Sequence, residues 1–421
     1  MRLDLFRIVL AGAGTLVLWT AVAQAQGSSS HLPSENAVRE AVALSPDVLA
    51  AEARRDAVLA RAEGVRAGTA ETVVRAIGQR RQVRDPSERH AEGQITVERP
   101  LRLWGKAQAD AQLADAAAEA GQLAVKDARH EASRQVLTLW FGAVRAGQAR
   151  LAALENAKAA ADLAALTARR VQVGDASRLD AEMAAADRAR TQAMLATAAA
   201  AEQTAQAELQ ARFPGLGHPA FGADTALPPL QRDPHDPPDR LRTQYIQDSH
   251  EYRLAMAEEA QAQQMAKRAD LERRPDPTVG MFVTVERGGA ERIMGVSVAM
   301  PIGSAHRRST AVAAAADAET AARRRLGAER RLGAEFDVLY GNLQGKRASA
   351  QAQMEAATLQ KSASDRAMRA YRAGESGLTE LLAARRSLAE AQLAERLARV
   401  DLLEADSRLQ LDLHRMWDFD D

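Results

Sequence analysis

The chain contains no cysteine. That excludes disulfides, thiolate metal centres and a lipid-modified N-terminal Cys. Aromatic residues make up only 4% of the sequence against 46% hydrophobic residues in all, so alanine carries much of the apolar content. Small side chains let helices approach closely, and Ala-rich helices with balanced charge suit slender coiled-coil packing better than a large globular core. Neither sign of charge is in excess: 56 Lys and Arg against 56 Asp and Glu leave a formal net charge of zero. Nucleic acid is therefore not an expected partner. After the first 25 residues no apolar run is long enough for a membrane-spanning helix. Catalytic patterns are missing too. Gly105 and Lys106 lack the upstream Gly of a phosphate loop, and His130 with Glu131 lacks the second His of a zinc-protease helix. The eight histidines show no ligand spacing, and His218 and His235, which share one polar stretch, read as solvated. We expect no enzyme activity, no cofactor and no metal site.

What is present begins with residues 1–25, which read as a secretory signal peptide: Arg2 and Arg7, an apolar core from Ile8 to Trp19, and small residues at Ala21, Ala23 and Ala25. The rest of the chain reads as exported, and as two copies of one pattern. Gly174 and Gly374 lie 200 residues apart, each followed at once by an acid (Asp175, Glu375) and six residues on by another (Asp180, Glu380). Each ends a proline-free, Ala-rich run, from about Arg102 and from about Ala305, that would make a helix of about 100 Å. Glycine takes positive φ without penalty, as a tight reversal between helices requires. A long-period repeat of this kind is the mark of duplicated architecture.

The remaining elements repeat in the same order. A helix from Ser34 to about Ala67 can break at Ser45-Pro46, and its counterpart runs unbroken from about Arg240 to Arg273. Each leads to a strand hairpin, at 72–100 and 277–301. The first is weakly marked, by Thr72 to Ile77 and Gln94 to Glu98 around a turn at 84–88. In the second, Val279, Met281, Val283 and Val285 alternate with small or polar residues, Gly288 and Gly289 turn the chain, and Met294, Val296, Val298 and Met300 return. Shorter helices follow the two glycine turns, to Arg212 and to about Leu413. Residues 26–212 thus form a first repeat and 240–415 a second, joined by a Pro/Gly-rich connector at 213–239 and ending in a tail at 416–421. Four strands with one apolar and one polar face suit either a small sheet packed on helices or part of a membrane barrel, which needs about eight strands to close.

Tyr371, Gly374, Leu378, Glu380, Leu381 and Leu382, the Arg274 to Pro277 lead into a strand, and Pro301 closing the return strand resemble the outer-membrane efflux protein (TolC) family. The order and spacing cover nearly all of the chain after the signal. The stretch Pro100 to Lys106 is most similar to the heavy-metal (cobalt-zinc-cadmium) branch. The resemblance implies a mainly α fold with a small β part. Duplicated helical hairpins would form a periplasmic tunnel, and two β-hairpins would give four strands to a trimeric 12-stranded outer-membrane barrel. It implies a passive channel of a tripartite proton-driven pump, with a periplasmic adaptor and an inner-membrane RND-type transporter as partners. Gly174, Asp175, Tyr371, Gly374 and Glu375 would lie at the adaptor-docking tip, Val283 and Val296 would face outer-membrane lipid, and Glu380 with Asp180 would line a lumen constriction. Glu380 could instead pair with Arg385 or Arg386. The chain departs from the family at Val171, where the second copy has Tyr371, and in having Ser376 and Gly377 where a basic residue is common. Ala383 occupies the position of a second acidic residue. A periplasmic adaptor or secreted coiled-coil scaffold is the second reading, but an adaptor has one helical hairpin rather than two.

Overall fold

A computed structural model of the chain describes residues 31–219, 237–303 and 305–419. The expected signal peptide, most of the connector and His235 lie outside the described residues. Among the described residues eight α-helices and four strands follow one another as two parallel series: α1 (Glu35–Ala43), α2 (Pro46–Ala67), β1 (Val73–Arg84), β2 (Ser87–Pro100), α3 (Lys106–Gln172) and α4 (Arg178–Arg212), then α5 (Pro238–Asp248), α6 (His250–Glu272), β3 (Thr278–Glu286), β4 (Glu291–Ala299), α7 (Ala305–Ala373) and α8 (Leu378–Asp412).

The break expected at Ser45-Pro46 is present, with Ser45 extended (φ −63°, ψ 131°) and Pro46 opening α2. The unbroken helix expected from Arg240 to Arg273 is not. Ser249 takes the same extended conformation (φ −56°, ψ 127°) and separates α5 from α6. No proline marks this break. Arg253 supports it by donating to the Gln247 carbonyl at 3.2 Å and to Asp248 at 3.0 Å, so the end of α5 is satisfied by a side chain. The duplication therefore extends to a kink whose sequence signal survives in only one copy.

The strands form one antiparallel sheet in the order β1-β2-β3-β4, leaving β1 and β4 as edges. The first hairpin is longer than its weak pattern predicts, because polar residues such as Arg80 and Arg81 continue β1 by pairing with Ala91 and His90. The register places Val279 against Val298, Met281 against Val296 and Val283 against Met294, and sets Ile95 and Val97 beside Val283 and Met281. One sheet face is thus apolar and open, with Val296 82% and Met294 78% exposed. The opposite face is polar and more sheltered. Glu92 is buried there, accepting from Gln79 at 2.8 Å and facing Arg81 at 3.3 Å, and Arg81 also lies 3.7 Å from Glu286. Gly295 on this face is required by packing, since a Cβ there would meet the Phe282 ring at 2.5 Å.

Among the helices α3 is central, packing on α2, α4, α6 and α8, while α7 packs on α5, α6 and α8. The core is concentrated midway along them. Val38, Val136, Leu137, Trp140, Phe141, Leu209 and Phe213 form one cluster, and Leu241, Tyr245, Leu332, Phe336, Leu343 and Leu409 a second. The second half of α8 contributes to both, through Val400 and Leu403 on one side and Leu402 and Leu409 on the other. Most of the chain's few aromatics gather at this level. Trp417, in the tail at 416–421, is buried there. Away from it, and outside the Tyr371 and leucine cluster after the glycine turns, most of the buried apolar residues are alanines. No helix among the described residues is long and apolar enough to cross a membrane.

Candidate functional site

The two glycine reversals lie side by side. At the first, Gly174 has φ +81° and the Asp175 N–H donates to the Arg170 carbonyl at 2.7 Å. At the second, Gly374 has φ +77° and the Glu375 N–H donates to the Ala370 carbonyl at 2.9 Å. These are the six-residue closures that a left-handed residue at a helix end permits. Arg170 binds the two together. Its guanidinium donates to the Asp175 carboxylate at 2.7 Å and to the Tyr371 carbonyl at 3.0 Å, and stands 4.7 Å over the Tyr371 ring. Tyr371 is buried, its hydroxyl 3.3 Å from Thr167 Oγ1, among Leu163, Ala184, Leu378, Leu381 and Leu382. The substitution of Val171 by Tyr371 between the copies thus has a partner, because Arg170 is replaced by Ala370 in the other direction. Glu375 is exposed at the end.

The two inner acids of the tip differ. Ser177 and Asp180 form a reciprocal capping box, each accepting the other's backbone N–H at 3.1 Å. Asp180, expected beside Glu380 as a constriction residue, is therefore occupied by its own helix end. In the second copy Gly377 replaces the serine and no side-chain cap forms. Glu380 is exposed, and Arg386, one of its two expected alternatives as a partner, lies 3.7 Å from Asp187 instead.

At the other end of the helices, the stretch Pro100 to Lys106 meets Arg274 to Pro277. Lys106 is fully enclosed, and its ammonium donates to the Arg274 carbonyl at 2.7 Å and to Asp276 at 2.9 Å, with Glu272 at 3.3 Å. Asp276 also accepts from the Leu103 N–H at 3.2 Å, and Trp104 Nε1 donates to the Pro275 carbonyl at 3.3 Å. Burial alone would raise the Glu272 carboxyl, but the hydrogen bond from Arg268 and the charges of Lys106 and Arg268 outweigh it and hold the group below its usual range. Two stretches chosen separately in the sequence form one joint between the exit of the first hairpin and the entry of the second.

No protein-family model and no curated protein matches the chain. Solved structures do. The outer-membrane channel OprN aligns with a TM-score of 0.73 at 20% identity over 91% of this chain and 90% of its own. The outer membrane protein VceC of Vibrio cholerae aligns at 0.71 and 18%, over 92% and 99%. The CmeC outer membrane channel of Campylobacter jejuni aligns at 0.68 and 13%, over 99% and 96%. The chain has the fold of these channels. Within that fold the sheet and the glycine tips occupy opposite ends of α3 and α7, as the positions of Pro100 and Gly174 along the chain require. Val283 and Val296 share the open apolar face, through the pairs Val283–Met294 and Met281–Val296. The run Arg323 to Arg331 serves helix contacts: Arg325 reaches Glu259 on α6 at 2.6 Å, and Arg331 reaches Glu251.

Three histidines expected to be scattered are in fact together. His130, His250 and His414 offer ring nitrogens within 4.8 Å of one another. They come from α3, the first turn of α6 and the segment after α8, so no local spacing could have revealed them.

Proposed function

We propose that the chain is the outer-membrane channel of a tripartite efflux pump. In this reading it acts as a homotrimer, in contact with a periplasmic adaptor at its glycine tips and serving a proton-driven inner-membrane transporter of the RND type. The observation that carries the proposal is the inverted polarity of the sheet. A sheet of a water-soluble protein buries its apolar face, whereas here the open face is Val, Met and Ile and the sheltered one holds Glu92, Arg81 and Glu286. A barrel with lipid outside and water inside asks for this arrangement. The open edges of β1 and β4 supply the second support, since a single chain of four strands leaves both unpaired. Three such sheets joined edge to edge give twelve strands and no free edge.

In this reading the channel is passive. Glu380, released from capping, is the constriction residue, and Asp175 and Glu375 belong to the docking tip with Gly174, Tyr371 and Gly374. The likeness of Pro100 to Lys106 to the heavy-metal branch supports heavy-metal cations rather than drugs as cargo. Fractionation followed by native mass measurement of the detergent-extracted protein tests the assembly, with outer-membrane recovery and a mass of three chains expected. A soluble periplasmic monomer would return the chain to the adaptor or scaffold class. Loss of resistance to metal salts, with drug resistance unchanged, is the result expected on deleting the gene, and the reverse pattern would overturn the cargo.

A further inference from the structure

The geometry points to a divalent transition-metal site, of the zinc type, built by His130, His250 and His414 beside the core midway along the helices. The ring centroids lie 5.0 Å apart for His130 and His414, 4.6 Å for His250 and His414, and 5.5 Å for His130 and His250. His250 is buried, and His130 and His414 are largely so. Three imidazoles that each offer a ring nitrogen within 4.8 Å of the others make a nitrogen donor set. Such a set suits Zn2+, Cu2+, Ni2+ or Co2+ and disfavours Mg2+ and Ca2+, which take oxygen ligands. Zinc–nitrogen bonds of about 2.0–2.1 Å are reached by small ring movements from the present separation.

The surroundings match what a metal-binding histidine needs. Asp412, itself buried, lies 3.2 Å from His130 Nε2 and is held by Arg134 at 2.8 Å, Arg408 at 2.7 Å and the Tyr245 hydroxyl at 3.4 Å. A carboxylate fixed in this way orients a ligand ring. Asp418 stands 3.8 Å from His414 Nδ1, a second carboxylate beside the ligand rings. Acids stand beside the neighbouring guanidiniums: Asp412 is shared by Arg134 and Arg408, Glu131 lies 3.5 Å from Arg134, Glu335 lies 3.7 Å from Arg408, and Glu52 lies 2.9 Å from Arg129; Lys126 also lines this pocket. His414 is held at φ +56°, a conformation unusual for a side-chain-bearing residue, which turns the chain back toward α3 and α6 just after α8 ends.

The site joins the two repeats. His130 belongs to the first and His250 to the second, and His414 anchors the segment leading to Trp417 in the core. Its occupant is a resident ion, separate from any cargo of the channel, and the inference stands whether or not the channel reading holds. A bound ion would stabilise the folded chain in proportion to its affinity.

The test uses the full-length protein in detergent, stripped with chelator and titrated with Zn2+ alone by calorimetry. One ion per chain is expected, together with a rise in unfolding temperature. His130→Ala, His250→Ala and His414→Ala should each weaken binding by at least about tenfold, whereas His90→Ala should not. Co2+ should give the intense visible absorption of a low-symmetry site, and His414→Cys should keep the ion and add a thiolate charge-transfer band. Absence of saturable binding, or binding indifferent to all three alanine variants, overturns the site. If the alanine variants fail to fold, the wild-type Co2+ spectrum decides, and a weak octahedral, water-like band overturns the site equally.

Discussion

Lys106 shows how much can rest on one side chain in an alanine-rich chain. It is enclosed, and its ammonium is shared among the Arg274 carbonyl, Asp276 and Glu272. Replacing a buried cation while its acids stay behind leaves uncompensated charge and costs about 3–5 kcal/mol. Asp276 retains the Leu103 N–H, and Glu272 retains Arg268, so the lower end of that range applies. Lys106→Met should therefore lower the unfolding midpoint of the detergent-solubilised protein clearly, while Lys267→Met, whose amine meets only the Gln112 side chain at 2.9 Å, should leave it almost unchanged. Equal midpoints for the two variants would mean that backbone contacts alone hold the joint. Arg170 plays the corresponding part at the tip, where it touches both reversals. Neither role could be read from composition, because a single basic residue in a helix looks the same in sequence whether it is solvated or enclosed.

At the scale of elements, strand polarity is the feature with a direct energetic consequence. Val283 lies on the open apolar face beside Ile95 and Met294, whereas Thr284, one residue on, lies on the polar face between Gln94 and Ile293. An Arg facing lipid near mid-bilayer costs about 2–4 kcal/mol, and one facing a wet lumen costs far less. Val283→Arg should thus reduce the yield of heat-resistant assembled protein in the outer membrane well below that of Thr284→Arg, as resolved by unheated gel electrophoresis. Equal yields would mean the strands do not contact lipid. This alternation was legible because the second hairpin has period two with two glycines at its turn. The first hairpin was legible only in part, since Arg80, Arg81 and Gln82 extend β1 through cross-strand partners that sequence reading does not see. Helix ends were clear wherever glycine or proline punctuated them, at Pro46, Gly174 and Gly374. The break at Ser249 was missed because it depends on Arg253 reaching back to Gln247 and Asp248. The histidine trio was missed for the same reason on a larger scale, as its members meet only through the packing of α3, α6 and the end of α8.

For the whole molecule, the proposed channel raises the question of where its pore would narrow, and the duplication itself supplies the argument. Asp180 and Glu380 are equivalent by position, yet Ser177 draws Asp180 into a capping box and Gly377 leaves Glu380 exposed near the tip. Of this equivalent pair, Glu380 is the carboxylate not engaged in a cap, and three-fold assembly would bring three of them to the axis. A ring of carboxylates favours cations and excludes anions, and binds multivalent cations strongly enough to block the pore. Glu380→Gln should accordingly lower cation preference in planar bilayers and weaken block by added multivalent cations. Asp180→Asn should leave both unchanged, although losing the charge at the helix start weakens that end by about 0.3–1 kcal/mol. Asp175→Asn serves as the complementary probe. It loosens the Arg170 tie between the two reversals, so it should impair binding of the adaptor in a pull-down while leaving single-channel selectivity intact. If Glu380→Gln conducts and blocks like the unaltered channel, Glu380 is not at the constriction, and the narrowing must be sought at residues other than the acids of the tip.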